Sequence, residues 1–241
     1  MSKTLIVPDI HDKISIVQHI LEKEKWDRVV FEGDFFDDFP TGQKEATLTA
    51  RYLKSIINDE RFTFLLGNHD IHYLWPYLGS VRCSGYEKIK SAAVERELVD
   101  LPEIRKRFKL YCWVDDWLVS HAGVSAGLLP DKFDMANFKE WLETETQNCW
   151  KMLGQGNIHK FLAAGRDRGG HAWTGGLNWC DWNSFVAIAN TNQLVGHSIG
   201  RDVRLHVGIN SHNYCIDTNL RHYAIIEDGV LDIREVAKLP K

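Results

Sequence analysis

The chain has 241 residues, 44% hydrophobic and 26% charged, which is enough to bury a substantial core and sits at the upper end of single-domain size. A formal net charge of -4 removes the basic face that accompanies tight, sequence-independent nucleic-acid binding, so no nucleic-acid partner is indicated. Cys83, Cys112, Cys149, Cys180 and Cys215 are scattered without a CxxC pair, suggesting neither a disulfide framework nor a thiolate zinc site, and no window has the apolar length of a membrane span.

Met1-Ser2-Lys3-Thr4 runs into a short apolar strand rather than a signal-peptide core, and a cytoplasmic location is expected. Residues 4–8 are β-branched and apolar, and residues 14–21 repeat apolar side chains at helical spacing, which predicts strand, loop and helix. Residues 28–31 read as a second strand closed by Gly33-Asp34, and 45–57 as a helix. Residues 62–66 read as a third strand closed by Gly67-Asn68-His69-Asp70. Strands alternating with helices imply parallel βαβ units, in which ligands bind beyond the carboxyl ends of the strands.

Residues 71–110 look mainly helical. Residues 110–114 and 117–120 are strands, the second closed by His121-Ala122-Gly123. Helical character returns over 133–162, and 164–183, dense in Gly, Trp and Arg, reads as an irregular loop. Segments 193–195, 203–207, 212–217, 222–226 and 231–236 resemble consecutive strands joined by turns such as Asp228-Gly229, predicting a second, antiparallel sheet. With no repeat or flexible linker, one domain over residues 1–241 is expected.

The strand-end loops carry Asp9-Ile10-His11, Gly33-Asp34 with Asp37, Gly67-Asn68-His69-Asp70, His121-Ala122-Gly123 and Gly196-His197. Each couples a metal-competent side chain to a small or turn-forming neighbour. Imidazole mixed with carboxylate or amide oxygen is the donor set that catalytic divalent cations favour. A single Asp or His at a strand end is more often a cap or a satisfied polar group, so it is the joint pattern that points to chemistry.

These blocks resemble the calcineurin-like metallophosphoesterase superfamily, and within it the phosphoprotein phosphatase branch, whose signature runs DxH, GDxxDRG, GNH plus an acid, HGG or HAG, and GH. All five blocks appear in that order between residues 5 and 198, the second without its Arg-Gly. The resemblance implies an α/β four-layer sandwich of two mixed β-sheets flanked by helices. It also implies a phosphomonoester hydrolase similar to serine/threonine protein phosphatases, acting on a phosphorylated protein or a small phosphoester. Asp9, His11 and Asp34 would hold one divalent ion, and Asp34, Asn68, His121 and His197 a second. Mn is the first expectation for both ions, with Fe or Zn compatible. Two such ions roughly 4 Å apart acidify a bridging water and clamp phosphoryl oxygens. His69 would protonate the leaving oxygen, and Asp37 would orient its ring.

Where the branch continues Asp-Arg-Gly, this chain has Asp37-Asp38-Phe39, so the phosphate-clamping arginine is missing. Arg166 and Arg168, in Gly165-Arg166-Asp167-Arg168-Gly169, are the candidates to replace it, with Arg168 preferred and Asn68 beside them as a substrate contact. Asp12 replaces a family glycine and is expected to cap the helix that follows. His19, His72, His159, His171, His206, His212 and His222 match no block, and surface or packing roles are expected for them. Two alternatives remain. One is a nucleotide or dinucleoside polyphosphate hydrolase, known among bacterial relatives. The other is a non-catalytic metal-binding interaction module, against which the presence of His69 and Asp37 argues.

Overall fold

The computed structural model describes residues 2–237. The chain opens with β1 (Lys3–Val7), α1 (Ile14–Lys23), β2 (Arg28–Phe31), α2 (Gln43–Ile56) and β3 (Phe62–Leu65), and the three strands pair in parallel in that order. Helix α3 (Asn68–Leu74) begins directly at the carboxyl end of β3. The stretch expected to be helical contains α4 (Lys88–Glu97) and α5 (Leu101–Lys106), but ends in β4 (Phe108–Lys109), which joins β3 in parallel. A strand of two residues has no periodicity to read.

There follow β5 (Tyr111–Val114), β6 (Trp117–Ser120), α6 (Phe138–Gly154), β7 (Asn192–Val195), β8 (Arg204–Gly208), β9 (Ser211–Cys215), β10 (His222–Glu227) and β11 (Val230–Glu235). The sheets run β11-β10-β1-β2-β3-β4 and β5-β6-β7-β9-β8. The expectation of an antiparallel second sheet is corrected in two ways. Strands β6, β7 and β9 pair in parallel, and β10 and β11 leave that sheet to add antiparallel beside β1.

The reason lies in β10 itself. Tyr223-Ala224-Ile225-Ile226 is buried at every position, so both of its faces need cover. Tyr223 and Ile225 join the large core beneath the helices, while Ala224 and Ile226 join the layer between the sheets. That layer also takes Ile6, Val30 and Leu65 from the first sheet and Val119 and Leu194 from the second. The two mixed sheets therefore pack face to face with helices flanking them, as the α/β sandwich reading expects. Helix α6 runs beside β5, where Tyr111 donates to Glu143 at 3.0 Å and the Lys139 ammonium sits 4.5 Å over Trp113.

All five cysteines are free thiols. Among the described residues no helix is long and apolar enough to cross a membrane. On the helix-side face, fully buried Phe31 stacks on Phe62 and Phe64 at 5.8 Å and meets Phe35 edge-on. Because this cluster sets the height of β2 beneath the Gly33-Asp34 turn, Phe31→Ala is expected to lower unfolding free energy by about 3–5 kcal/mol in chemical denaturation.

Candidate metal centre

The loops after β1, β2, β3 and β7 bring polar residues to one cavity of about 210 Å³, lined by His11, Asp34, Asn68, His69 and His197 among others, and His121 of the loop after β6 is buried behind it. Asp34 lies at its centre. Its backbone carbonyl accepts the Ile10 and His11 amides at 3.1 and 2.7 Å, and its Oδ1 accepts the His69 amide at 2.8 Å. Its Oδ2 stands 3.7 Å from His11 Nε2 and 3.5 Å from His121 Nε2. The turn needs glycine at two places. Gly33 has φ +105, and a Cβ on Gly67 would collide with the Asp34 amide and carboxylate.

The ring nitrogens are oriented from behind. His11 Nδ1 is 2.9 Å from the Phe36 carbonyl and His121 Nδ1 2.8 Å from the Glu32 carbonyl. A carbonyl only accepts, so in the neutral rings each Nδ1 carries the proton and each Nε2 turns a lone pair inward. The inward His121 Nε2 then faces Asn68 Oδ1 at 3.0 Å, His197 Nδ1 at 3.2 Å and Asp34 Oδ2 at 3.5 Å. His197 Nε2 is buried without a hydrogen-bond partner. Imidazole lone pairs of His11 and His121 turned inward beside carboxylate and amide oxygens fit a cation. Two groups have this character, Asp9-His11-Asp34 and Asp34-His121-His197, and they share Asp34.

The charge balance agrees. Burial pushes the Asp9 carboxyl up, reinforced by Asp217 and Asp34, and burial likewise raises Glu32, which has no hydrogen-bond partner. Burial would also raise Asp34, but His121, His69, His11 and His197 around it bring it down to about 2. Burial lowers His121 and, with His121 beside it, His197. Carboxyls raised by burial and mutual repulsion, packed beside two imidazoles that burial lowers, fit a site where divalent ions would supply positive charge.

Beside the cavity, Asp37 is the acceptor of a second cluster. Its Oδ2 takes His69 Nδ1 at 3.1 Å and His72 Nε2 at 2.9 Å, while its Oδ1 takes Tyr73 Oη at 2.5 Å and the buried Lys90 ammonium at 3.5 Å. Burial alone would raise Asp37, yet the bonds from His69, His72 and Tyr73 hold it well below the usual carboxylate range. Burial would lower His69, but Asp34 and the Asp37 bond hold it well above its ordinary value. His11, Asp34, Asp37 and His197 all have left-handed backbones, with φ between +43 and +72, a conformation non-glycine residues keep only where surrounding contacts dictate it.

Arg168 reaches the same cavity, where Asp181 Oδ2 accepts its Nε at 2.7 Å and Ser198 Oγ its Nη2 at 3.2 Å. Arg166 turns away and lies 4.8 Å over exposed Trp173. Two expectations are corrected. Asp12 does not cap α1: its carboxylate accepts the Thr41 and Thr49 hydroxyls at 2.8 and 2.7 Å, and the N-terminal cap of α1 is Lys13, with no side-chain bond. His72 is neither a surface nor a plain packing residue, because its buried ring holds Asp37. The i, i+3 spacing of His69 and His72 on α3 was the available signal. Glu32, Asp217 and Cys83 also escaped sequence reading. Asp217 is brought to the cavity by the parallel β7 and β9 pairing, which adjacency in sequence does not express.

A sequence profile of the calcineurin-like phosphoesterases matches residues 2–213, and the chain belongs to that family. It is a metal-dependent phosphoric ester hydrolase, a phosphatase. No curated protein matches it. Among solved structures, the fold is similar to a cold-active protein-tyrosine phosphatase of a psychrophilic Shewanella species, with TM-score 0.61, 14% identity, and 98% of this chain and 81% of that one covered. It is also similar to a protein serine/threonine phosphatase from Saccharomyces cerevisiae, with TM-score 0.54, 15% identity, and 99% and 81% covered.

Lys90 is only 1% exposed, and its other acidic neighbour, Glu87, lies 3.7 Å away at the surface. Asp37→Ala strands this ammonium, and a loss of about 3–5 kcal/mol of unfolding free energy is expected by urea titration. Asp37→Ala combined with Lys90→Met should recover part of that loss.

Proposed function

We propose that this protein is a two-metal phosphomonoesterase of the serine/threonine protein phosphatase kind. The observation that carries the reading is the sharing of Asp34 by two ligand groups, with a histidine held by a buried carboxylate beside them. Asp9, His11 and Asp34 would hold one divalent ion, and Asp34, Asn68, His121 and His197 the other. Bound there, two such ions supply Lewis acidity to the phosphoryl oxygens and activate water.

The chain's own residues do the rest. Asp34 ties the loops after β1 and β3 to its own through its carbonyl and Oδ1, which holds the ligand residues in register. His69 has its Nδ1 engaged by Asp37, which fixes the ring and leaves Nε2 to give a proton to the departing ester oxygen. Arg168, braced by Asp181 and Ser198, supplies the guanidinium that the Asp37-Asp38 sequence lacks. Asp38 cannot bind phosphate, and instead pairs with Lys13 at 3.0 Å.

His69→Ala is expected to retain two ions by elemental analysis and to lose about 10²–10⁴-fold in kcat on an alkyl phosphate, with a smaller loss on an aryl phosphate whose oxygen leaves unaided. Near-normal turnover of the alkyl ester would remove the acid role. Asp34→Asn should lose metal, and a full complement of two ions would remove it as the bridge.

Arg168→Ala is expected to raise KM and weaken inhibition by inorganic phosphate by about tenfold while leaving metal content unchanged, corresponding to one charged hydrogen bond. Metal-supplemented profiling on phosphopeptides, nucleoside phosphates and dinucleoside polyphosphates tests the substrate class. Preference for a polyphosphate bridge would displace the protein phosphatase reading.

A further inference from the structure

A third cluster of ligand-type atoms lies on the outer side of His69. Cys83 Sγ is 3.5 Å from His72 Nδ1 and 3.7 Å from His69 Nδ1, and these three atoms lie within 4.8 Å of one another. A zinc ion bound tetrahedrally to one thiolate and two imidazoles, with Zn–S near 2.3 Å and Zn–N near 2.05 Å, sets each S···N separation at about 3.5 Å. The sulfur and the two nitrogens already stand at that spacing.

The rest of the surroundings suit an ion as well. His72 Nε2 donates to Asp37, the arrangement in which a carboxylate behind a histidine fixes the ring so that the opposite nitrogen faces a metal. Cys83 lines a cavity of about 500 Å³ together with Ser80, Arg82, Ser84 and Arg168, which gives the thiol a route to solvent that fully buried Cys149 and Cys215 lack. None of these three ligand atoms belongs to the Asp34-centred groups.

We propose that His69, His72 and Cys83 form a separate inhibitory site for a thiophilic divalent cation, with Zn²⁺ as its ligand. The inhibitory part rests on the proton-donor role of His69 given above. His69 Nδ1 is the atom shared between Asp37 and the site. An ion taking its lone pair displaces the Asp37 bond and holds the ring uncharged. Its remaining N–H is then a far weaker acid than an imidazolium. Binding releases the Cys83 thiol proton and the His69 Nδ1 proton to solvent and involves no redox step. Cysteine spacing suggested no thiolate site because its partners are histidines of α3, brought to the loop before α4 only by folding.

The test uses the full chain with its two-metal centre loaded with Mn²⁺, and two probes, Co²⁺ and Zn²⁺. Co²⁺ should add a thiolate-to-cobalt charge-transfer band in the near ultraviolet, which no Asp34-centred ligand can produce. Cys83→Ser should abolish it. Zn²⁺ should bind as one further ion per chain, protect Cys83 from alkylation by iodoacetamide, and lower kcat by about 10²-fold or more. Cys83→Ser and Cys83→Ala should keep the metal-loaded turnover and escape this inhibition. Absence of the cobalt band, or equal inhibition of the Cys83 variants, overturns the site. A band with undiminished turnover overturns the link to His69. The spectroscopic and alkylation readouts hold even if the phosphatase reading fails.

Discussion

The position of the Asp34 carboxylate is the constraint on which the site depends. Its carbonyl and both carboxylate oxygens reach three other strand-end loops, so a small displacement would loosen several groups together. That position follows from two features of the chain. Parallel pairing of β1, β2 and β3 brings their carboxyl ends level, and glycine at 33 and 67 lets the two turns approach more closely than any side chain would permit. The aromatic cluster under β2 holds the turn from below.

Asp37 plays the corresponding role one layer out. Four donors converge on a single buried carboxylate, three of them from α3 and one from α4. Burying a carboxylate and an ammonium in apolar surroundings costs more than their attraction returns unless further hydrogen bonds complete the set, as they do here. The outcome is a histidine whose orientation is fixed by a carboxylate that His72, Tyr73 and Lys90, outside the cavity, hold in turn. The same packing leaves the opposite edge of that histidine facing a thiol.

Comparison of sequence and structure separates two kinds of information. Asp9, His11, Asp34, Asn68, His121 and His197 were legible because each couples a ligand-type side chain to a turn residue at the end of an apolar run, and local periodicity dates from neighbours a few positions apart. His72, Glu32, Asp217 and Cys83 were not. Their significance arises from partners far along the chain, such as the 35 positions between Asp37 and His72. The reading of Asp12 as a cap failed for the same reason, since its carboxylate is taken by Thr41 and Thr49 from the next βα unit.

Sequence by itself determined the α/β class, the alternation that makes β1 to β3 parallel, and the identity of the polar blocks at the strand ends. Those are set by side-chain chemistry and by backbone preferences that act within a turn or two. Tertiary structure alone decided that β10 and β11 cross to the first sheet, that Asp217 reaches the cavity, and that Asp37 gathers His69, His72, Tyr73 and Lys90. Each depends on which of several chemically similar segments can cover a buried face or reach a buried charge, and that choice is made by the closing of the whole core.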